Sequence, residues 1–127
     1  MNLISTGYFK EMPDGSPDDL SIKDFVDKNT EYPIDKICAY LERGLPLIVA
    51  PGVVQDVIDE NKGSAGSPSI LTDGKWAWSG VLSYYVKNYN LSLNSDFINS
   101  MIENDWKIPI HENELDYSTI LIDGIPL

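Results

Sequence analysis

The chain has 127 residues, 43% of them hydrophobic, which suits one domain with an ordinary core and is hard to divide into two. Twenty acidic residues oppose nine basic ones, for a formal net charge of −11. Such a surface repels nucleic acids and anionic membranes, so we expect no direct binding to either and favour a basic protein or a cation as partner. Acidic balance that only aids solubility is an equally open interpretation.

The single cysteine and the N-terminal residues bear on the cellular compartment. Cys38 alone excludes an internal disulfide and a cysteine metal site, and its apolar neighbours indicate a buried thiol. Residues 1–12 lack the basic segment and long apolar run of a secretory signal. No stretch approaches the roughly 18 apolar residues of a membrane-spanning helix. These features predict a cytoplasmic protein without membrane association.

The N-terminal part of the chain predicts a strand, a loop and a short helix. Residues 2–9 are mostly apolar and predict a strand. Residues 10–20 hold two prolines, a glycine and four acids, so we expect a solvated surface loop. Ser21 is placed to cap a short helix over residues 21–26.

A clearer helix is predicted over residues 33–43, where apolar residues repeat at intervals of three and four. Pro33 suits its first position, and Gly44 is placed to close it in a left-handed conformation. The apolar run over residues 45–50 is either a buried strand or an extended link. Residues 53–58 predict another short helix, whose polar residues face water.

The most informative local pattern is a predicted β-hairpin over residues 69–78. Asp73-Gly74 provides the two residues of a tight type I′ turn, in which both residues have positive φ. Trp76 and Trp78 are two positions apart and therefore lie on the same face of their strand.

Two helices and a last strand are predicted after the hairpin. Ser79 is placed to cap a helix with an apolar stripe over residues 81–89. Tyr84 lies off that stripe, so we expect it to be the exposed member of the aromatic group Trp76, Trp78, Tyr84, Tyr85, Tyr89 and Trp106. A second helix is predicted over residues 95–104, and a strand over residues 117–122.

Helices and short strands alternate without regular βαβ units. This order predicts a single α+β domain over residues 1–127, in which a small, mostly antiparallel sheet packs with about four to five short helices.

Catalytic motifs are mostly missing. His111 is the only histidine, and there is no second histidine for a zinc-protease motif, no phosphate-binding glycine loop and no nucleophile elbow. We therefore predict a binding protein rather than an enzyme, with no cofactor and no metal. A pair of carboxylates distant in the chain is still possible, so a carboxylate-based hydrolase remains a third hypothesis, which requires two facing acids in a deep cleft.

Acidic residues are the abundant functional groups. Residues 11–31 carry seven acids against two lysines, and residues 103–116 carry five acids against one lysine. For any single patch a solvated face is the simpler interpretation. If some patches converge on a basic partner, the candidate contacts are acids of the first loop, of the outer face of the short helix and of the hairpin turn, namely Asp14, Asp18, Asp19, Asp56, Asp59, Glu60 and Asp73.

The segment over roughly residues 67–102 resembles a known family. It has the pattern ILTDG-x-W-x-W, then a helix with L-x-YYV, then a capped second helix that starts D-F. This arrangement is similar to immunity proteins of bacterial contact-dependent growth inhibition and related polymorphic toxin systems. Ser79 and Asn94 stand where those proteins have, or often have, proline. Both are cap positions and leave the expected fold intact.

The resemblance implies a function and no catalytic residues. Proteins of this kind bind a cognate toxin domain and block its active site or its access to substrate. Many such toxins are nucleases with basic substrate-binding surfaces, which an acidic inhibitor would complement. The resemblance thus suggests an immunity protein for a cytosolic nuclease toxin, with Trp76, Trp78, Tyr84 and Tyr85 mainly structural. The alternative is a small regulatory or scaffold protein without a toxin partner.

Overall fold

A computed structural model describes residues 1–127. It contains three α-helices, namely α1 (Ile34–Glu42), α2 (Leu82–Tyr89) and α3 (Ser95–Glu103). The eight strands are β1 (Asn2–Ser5), β2 (Leu45–Ile48), β3 (Val54–Gln55), β4 (Ser64–Gly66), β5 (Ile70–Thr72), β6 (Trp76–Ser79), β7 (Leu121–Ile122) and β8 (Ile125–Pro126). Single 3₁₀ turns lie at Ile22–Asp24, Glu60–Lys62 and Glu112–Glu114. The longest helices have nine residues, and none has the length and apolar composition of a membrane span.

Six strands form one sheet in the order β2-β5-β6-β1-β7-β8, while β3 and β4 form a separate hairpin. β1 lies in the middle of the sheet and is parallel to both of its neighbours, β6 and β7. Every other pairing is antiparallel. The α+β class therefore fits, but the predicted number of about four to five helices is wrong, because only three α-helices form.

Two of the predicted helices do not form. Residues 21–26 form only a 3₁₀ turn, although Ser21 caps it as expected. The segment predicted as a helix over residues 53–58 is extended, and Val54–Gln55 pairs with β4. The Asp56 carboxylate accepts hydrogen bonds from the backbone N–H groups of Ile58 and Asp59, at 2.7 and 2.8 Å. A side chain that captures these donors holds the backbone in a turn rather than in a helix.

The strand β6 separates two apolar cores. Trp76 and Trp78 lie on the face that packs against the three helices, as their spacing predicts, in a cluster of 18 buried residues. Ala77 points to the other face and joins a smaller cluster that includes Leu3 and Ile120. Alternation along one strand thus places the helices on one side of the sheet and the C-terminal segment on the other.

The predicted hairpin forms, but its turn is not type I′. Gly74 has a φ of 97°, whereas Asp73 does not adopt positive φ. The Asp73 carboxylate instead accepts hydrogen bonds from the backbone N–H groups of Lys75 and Trp76, at 2.9 and 2.8 Å. The side chain of Asp73 therefore shapes this turn by bonding to the residues that follow it.

A two-residue turn with positive φ at both positions lies elsewhere, between β7 and β8. Asp123 and Gly124 have φ values of 50° and 81°. They connect the paired residues Ile122 and Ile125. Positive φ at both central residues is what a type I′ hairpin turn requires. The strand predicted over residues 117–122 is shorter in the structure, where it spans Leu121–Ile122.

Gly44 has a different role from the predicted left-handed helix end. Its backbone is not in the left-handed region, and a Cβ atom there would lie 2.5 Å from Cζ2 of Trp78 and 2.9 Å from Cβ of Leu71. Glycine is needed because the chain leaving α1 passes close to the sheet. Pro33 precedes the helix as its cap residue, and α1 begins at Ile34.

Candidate functional site

The acidic side chains are almost entirely free of basic partners. The only ion pair in the chain joins Lys107 to Asp105 at 4.0 Å, and both side chains are highly exposed. Exposed pairs of this kind contribute little to stability. The negative charge of the other acids is therefore not neutralised by contact with lysine or arginine and extends into solvent.

The seven acids predicted as partner contacts fall into two groups. Asp14, Asp18 and Glu60 are exposed, and Asp19 and Asp59 are half-buried. In contrast, Asp56 and Asp73 are only 3% and 1% exposed. We therefore name the first five residues the acidic surface and leave Asp56 and Asp73 out of it.

Asp56 is bound by the chain itself. One carboxylate oxygen accepts hydrogen bonds from the hydroxyls of Tyr89 and Tyr84, at 2.6 and 2.7 Å, while the other binds two backbone N–H groups. Burial alone would raise the pKa of Asp56, but these hydrogen bonds hold it below its usual value. The same contact raises the pKa of Tyr84 to about 12. Tyr84 is therefore half-buried rather than exposed. Its position off the apolar stripe of α2 lets its hydroxyl bind Asp56.

Three tyrosines of α2 together hold the β3–β4 hairpin. The hydroxyl of Tyr85 accepts a hydrogen bond from the backbone N–H of Val57 at 3.0 Å, next to the two hydroxyls on Asp56. The Lys62 ammonium lies 4.5 Å from the centre of the Tyr89 ring. The acids of this hairpin, Asp59 and Glu60, are thus carried on a segment that α2 fixes in place.

Asp73 has an equivalent position at the tip of the β5–β6 hairpin. Besides the two backbone donors, its carboxylate accepts a hydrogen bond from the Tyr40 hydroxyl at 2.6 Å. That hydroxyl also accepts a hydrogen bond from the Asn104 amide at 3.1 Å. Burial, followed by the hydrogen bond to Asp73, raises the pKa of Tyr40. Asp73 therefore connects the hairpin to α1 and to the end of α3.

The first acidic loop is anchored as well as solvated. Phe9 and Met12 are buried in the main core. The Glu11 carboxylate accepts hydrogen bonds from the Ser21 hydroxyl and from the backbone N–H of Ile22. Asp19 accepts a hydrogen bond from the backbone N–H of Ser16 at 2.7 Å. Asp18 and Asp19 are therefore presented from a backbone held at both ends.

The two loops that carry the acidic surface are neighbours. A small depression is lined by Asp14 and Pro13 from the first loop and by Val54 and Val57 from the β3–β4 hairpin. Its volume is about 10 Å³, which leaves room for about one water molecule and for no ligand. The depression is thus a gap between the two packed loops and not a binding site.

A much larger opening lies beside the first loop. This groove has a volume of about 680 Å³ and runs between the residues after β1 and the link from α2 to α3. Its lining residues are Ser5, Thr6, Gly7, Tyr8, Phe9, Asp18, Asp19, Leu20, Phe25, Ser92, Leu93, Asn94 and Ser95. The only charged residues among them are Asp18 and Asp19, so the groove is negative, with hydroxyl groups and apolar walls.

The sequence predicts the acids of this groove but not the rest of its lining. Thr6 and Ser92 come from segments far apart in the chain, and no local pattern marks them. They meet because the backbone N–H of Thr6 bonds to Ala77 of β6, and that of Ser92 bonds to Phe25. Only the assembled fold reveals the groove.

No group of three or more histidine, cysteine or carboxylate side chains is arranged to hold a metal ion. Comparison of the chain with protein-family models, curated proteins and solved structures finds no match. The resemblance of residues 67–102 to immunity proteins therefore stays a prediction from the sequence.

Proposed function

We propose that this chain is an immunity protein that binds and neutralises a cognate toxin domain with a basic surface, acting in the cytoplasm. The toxin class that best fits the charge is a nuclease, because its substrate-binding surface must attract phosphates. The acidic surface, with Asp14, Asp18, Asp19, Asp59 and Glu60, is the proposed region of first contact.

One observation carries the proposal. Of the twenty acidic residues only Asp105 forms an ion pair, and that pair is exposed. If the charge served the fold, buried or networked ion pairs would be expected. Instead the two buried carboxylates, Asp56 and Asp73, are bound by hydroxyl and backbone donors. The remaining negative field is available to a partner of opposite charge.

The geometry suggests how such binding would proceed. Complementary charge accelerates encounter and sets orientation, while apolar contacts supply more of the affinity. Leu20 and Val53 are 64% and 63% exposed and belong to the two segments that carry the acidic surface. They provide apolar contacts beside the charges. Anchored loops also limit the conformational entropy lost on binding.

Affinity capture from the native host tests the proposal. Tagged protein should recover one basic protein, or the C-terminal domain of a very large secreted protein, in near-equal amount by mass spectrometry. A variant with all five acids of the acidic surface changed to Asn or Gln should recover much less of it. Capture of no protein from host cells that express this chain would contradict the proposal, as would equal capture by the variant.

A further inference from the structure

Thr6 is a buried polar residue whose side chain has no partner. It is 8% exposed and lines the groove. Its backbone N–H bonds to Ala77, but its hydroxyl makes no hydrogen bond within the chain. Every fully buried side-chain nitrogen or oxygen in the structure has a partner, so the Thr6 hydroxyl must reach an opening, and the groove is the opening that it lines. This hydroxyl is therefore open to the groove and free to bond to a group that enters it.

The carboxylates of the groove are also incompletely used. Asp19 binds Ser16 through one oxygen and leaves the other free. Asp18 donates its own backbone N–H to the Ser16 hydroxyl, and its carboxylate accepts no hydrogen bond. No lysine, arginine or histidine lines the groove. The Asp18 carboxylate, the second oxygen of Asp19 and the Thr6 hydroxyl thus have no donor within the chain, and the three residues line the same opening.

The walls restrict the kind of donor that fits. Phe9, Leu20, Phe25 and Leu93 give the groove an apolar lining, and the rings of Phe9 and Phe25 are 5.5 Å apart. A small hydrated cation gains nothing from such walls. The side chain of arginine or lysine matches them, because its aliphatic stem packs on apolar surface while its charged head donates hydrogen bonds.

We propose that the groove receives one arginine or lysine side chain of the partner protein, with Asp18, Asp19 and the Thr6 hydroxyl as acceptors for its cationic head. This inference rests on the proposed function for the identity of the partner, and it adds which part of the partner enters and where. The groove would act as the central anchor beside the other three acids of the acidic surface, Asp14, Asp59 and Glu60.

Titration of the ¹⁵N-labelled full chain with N-acetyl-arginine amide tests the groove without the partner. We expect saturable shifts of the backbone amides of Gly7 and Leu93, which N-acetyl-citrulline amide, a neutral analogue of the same shape, does not produce. The double variant Asp18→Asn/Asp19→Asn should abolish saturation. The matched control Glu42→Gln/Glu103→Gln removes the same charge from exposed helix ends and should bind like wild type. Equal shifts with citrulline, or equal loss in the control, would overturn the inference.

Thr6→Val separates a ligand role from a structural one. The variant should keep or raise the urea midpoint, because no hydrogen bond within the chain is lost, yet weaken arginine binding about threefold to tenfold. Thr72 is the matched control, since its buried hydroxyl donates to the Trp76 carbonyl at 2.6 Å and accepts from Gly74 at 3.0 Å. Thr72→Val should lower the midpoint. If the Thr6→Val variant binds arginine as tightly as wild type does, Thr6 is not part of the site.

Failure of the groove and failure of the proposed function give different results. If affinity capture succeeds but the Asp18→Asn/Asp19→Asn variant binds the captured protein as tightly as wild type does, the groove inference is wrong and the function stands. If arginine saturates the groove but capture recovers nothing, the function is wrong and the groove remains a site for a cationic side chain of another basic protein.

Discussion

Asp56 and Asp73 are buried without a cation beside them, which is costly unless the carboxylate is fully hydrogen-bonded. Both meet this condition in the same way, through tyrosine hydroxyls and backbone N–H groups. Tyr84, one of the residues of the L-x-YYV motif, thus has a defined task. Its hydroxyl binds Asp56 and helps to hold the hairpin that carries two acids of the acidic surface.

We expect Asp56→Asn to lower the free energy of unfolding by about 2–3 kcal/mol, because a neutral amide replaces a charged acceptor of four hydrogen bonds. Urea denaturation measures this loss. Glu60→Gln, at an exposed position of the same segment, is the control and should change stability by less than about 0.5 kcal/mol. Equal effects of the two variants would contradict the role given to Asp56.

The stabilising contribution of Asp56 should also depend on pH. The pKa of Asp56 is lower in the folded chain than in the unfolded one, so its contribution is complete above the unfolded value of about 4 and is lost as the pH falls through the folded value. The difference in stability between wild type and Asp56→Asn should therefore be constant above about pH 5 and shrink below pH 4. The other acids are common to both proteins and cancel. Urea unfolding at several pH values would contradict this if the difference grew on acidification.

At the scale of elements, the sequence predicts what is decided locally. The period of the apolar residues places α1 and α3 within a residue or two, and the spacing of the tryptophans places β6 and identifies the face that packs against the helices. The prediction fails over residues 53–58 and at the turn of the hairpin. In both places an aspartate binds the backbone N–H groups that follow it and also a tyrosine hydroxyl distant in the chain, and no local pattern contains the distant contact.

The candidate site divides in the same way. Five of seven predicted acids are at least partly accessible, because loops rich in proline and acid lie on the surface. The other two, Asp56 and Asp73, are the same residue type, yet lie inside, where tyrosine hydroxyls and backbone N–H groups bind their carboxylates. The groove depends on segments near Thr6, Asp18 and Ser92 meeting in the fold. Its shape is therefore a property of the tertiary structure alone.

Gly44 shows how a close approach constrains an element boundary. Gly44→Ala places a methyl group against Trp78 and the side chain of Leu71, neither of which moves freely in the core. We expect a loss of about 2 kcal/mol in the free energy of unfolding, from overpacking. Gly124→Ala, in the turn between β7 and β8, is the comparison, because nothing lies within 4 Å of its Cβ and only its φ of 81° opposes alanine. It should cost about 1 kcal/mol. Thermal or urea unfolding that ranks the two in the opposite order would contradict the packing argument.

At the scale of the whole molecule, the charge and the scaffold act together. The protein carries a charge of −11, and α2 and the core hold the loops that display part of it. Such an arrangement favours fast, salt-dependent association with a basic partner.

Charge reversal tests this arrangement once the partner is captured. Asp18→Lys/Asp19→Lys should slow association roughly tenfold at low salt and weaken its salt dependence. Glu42→Lys/Glu103→Lys changes the net charge by the same amount at exposed ends of α1 and α3. It should have a smaller effect if position matters more than net charge. Stopped-flow measurements at several ionic strengths give the association rate and its salt dependence for each variant. Equal changes in the two double variants would place the interface away from Asp18 and Asp19.

The central claim, that this chain neutralises a toxin, is tested most directly by growth. The captured protein, or the C-terminal domain of a large one, is expressed under an inducible promoter in a host that lacks both genes. The account predicts that induction alone arrests growth, that co-expression of this chain restores it, and that the variant without the five acids of the acidic surface restores it poorly. A captured protein that does not arrest growth, or an arrest that this chain does not relieve, would contradict the claim.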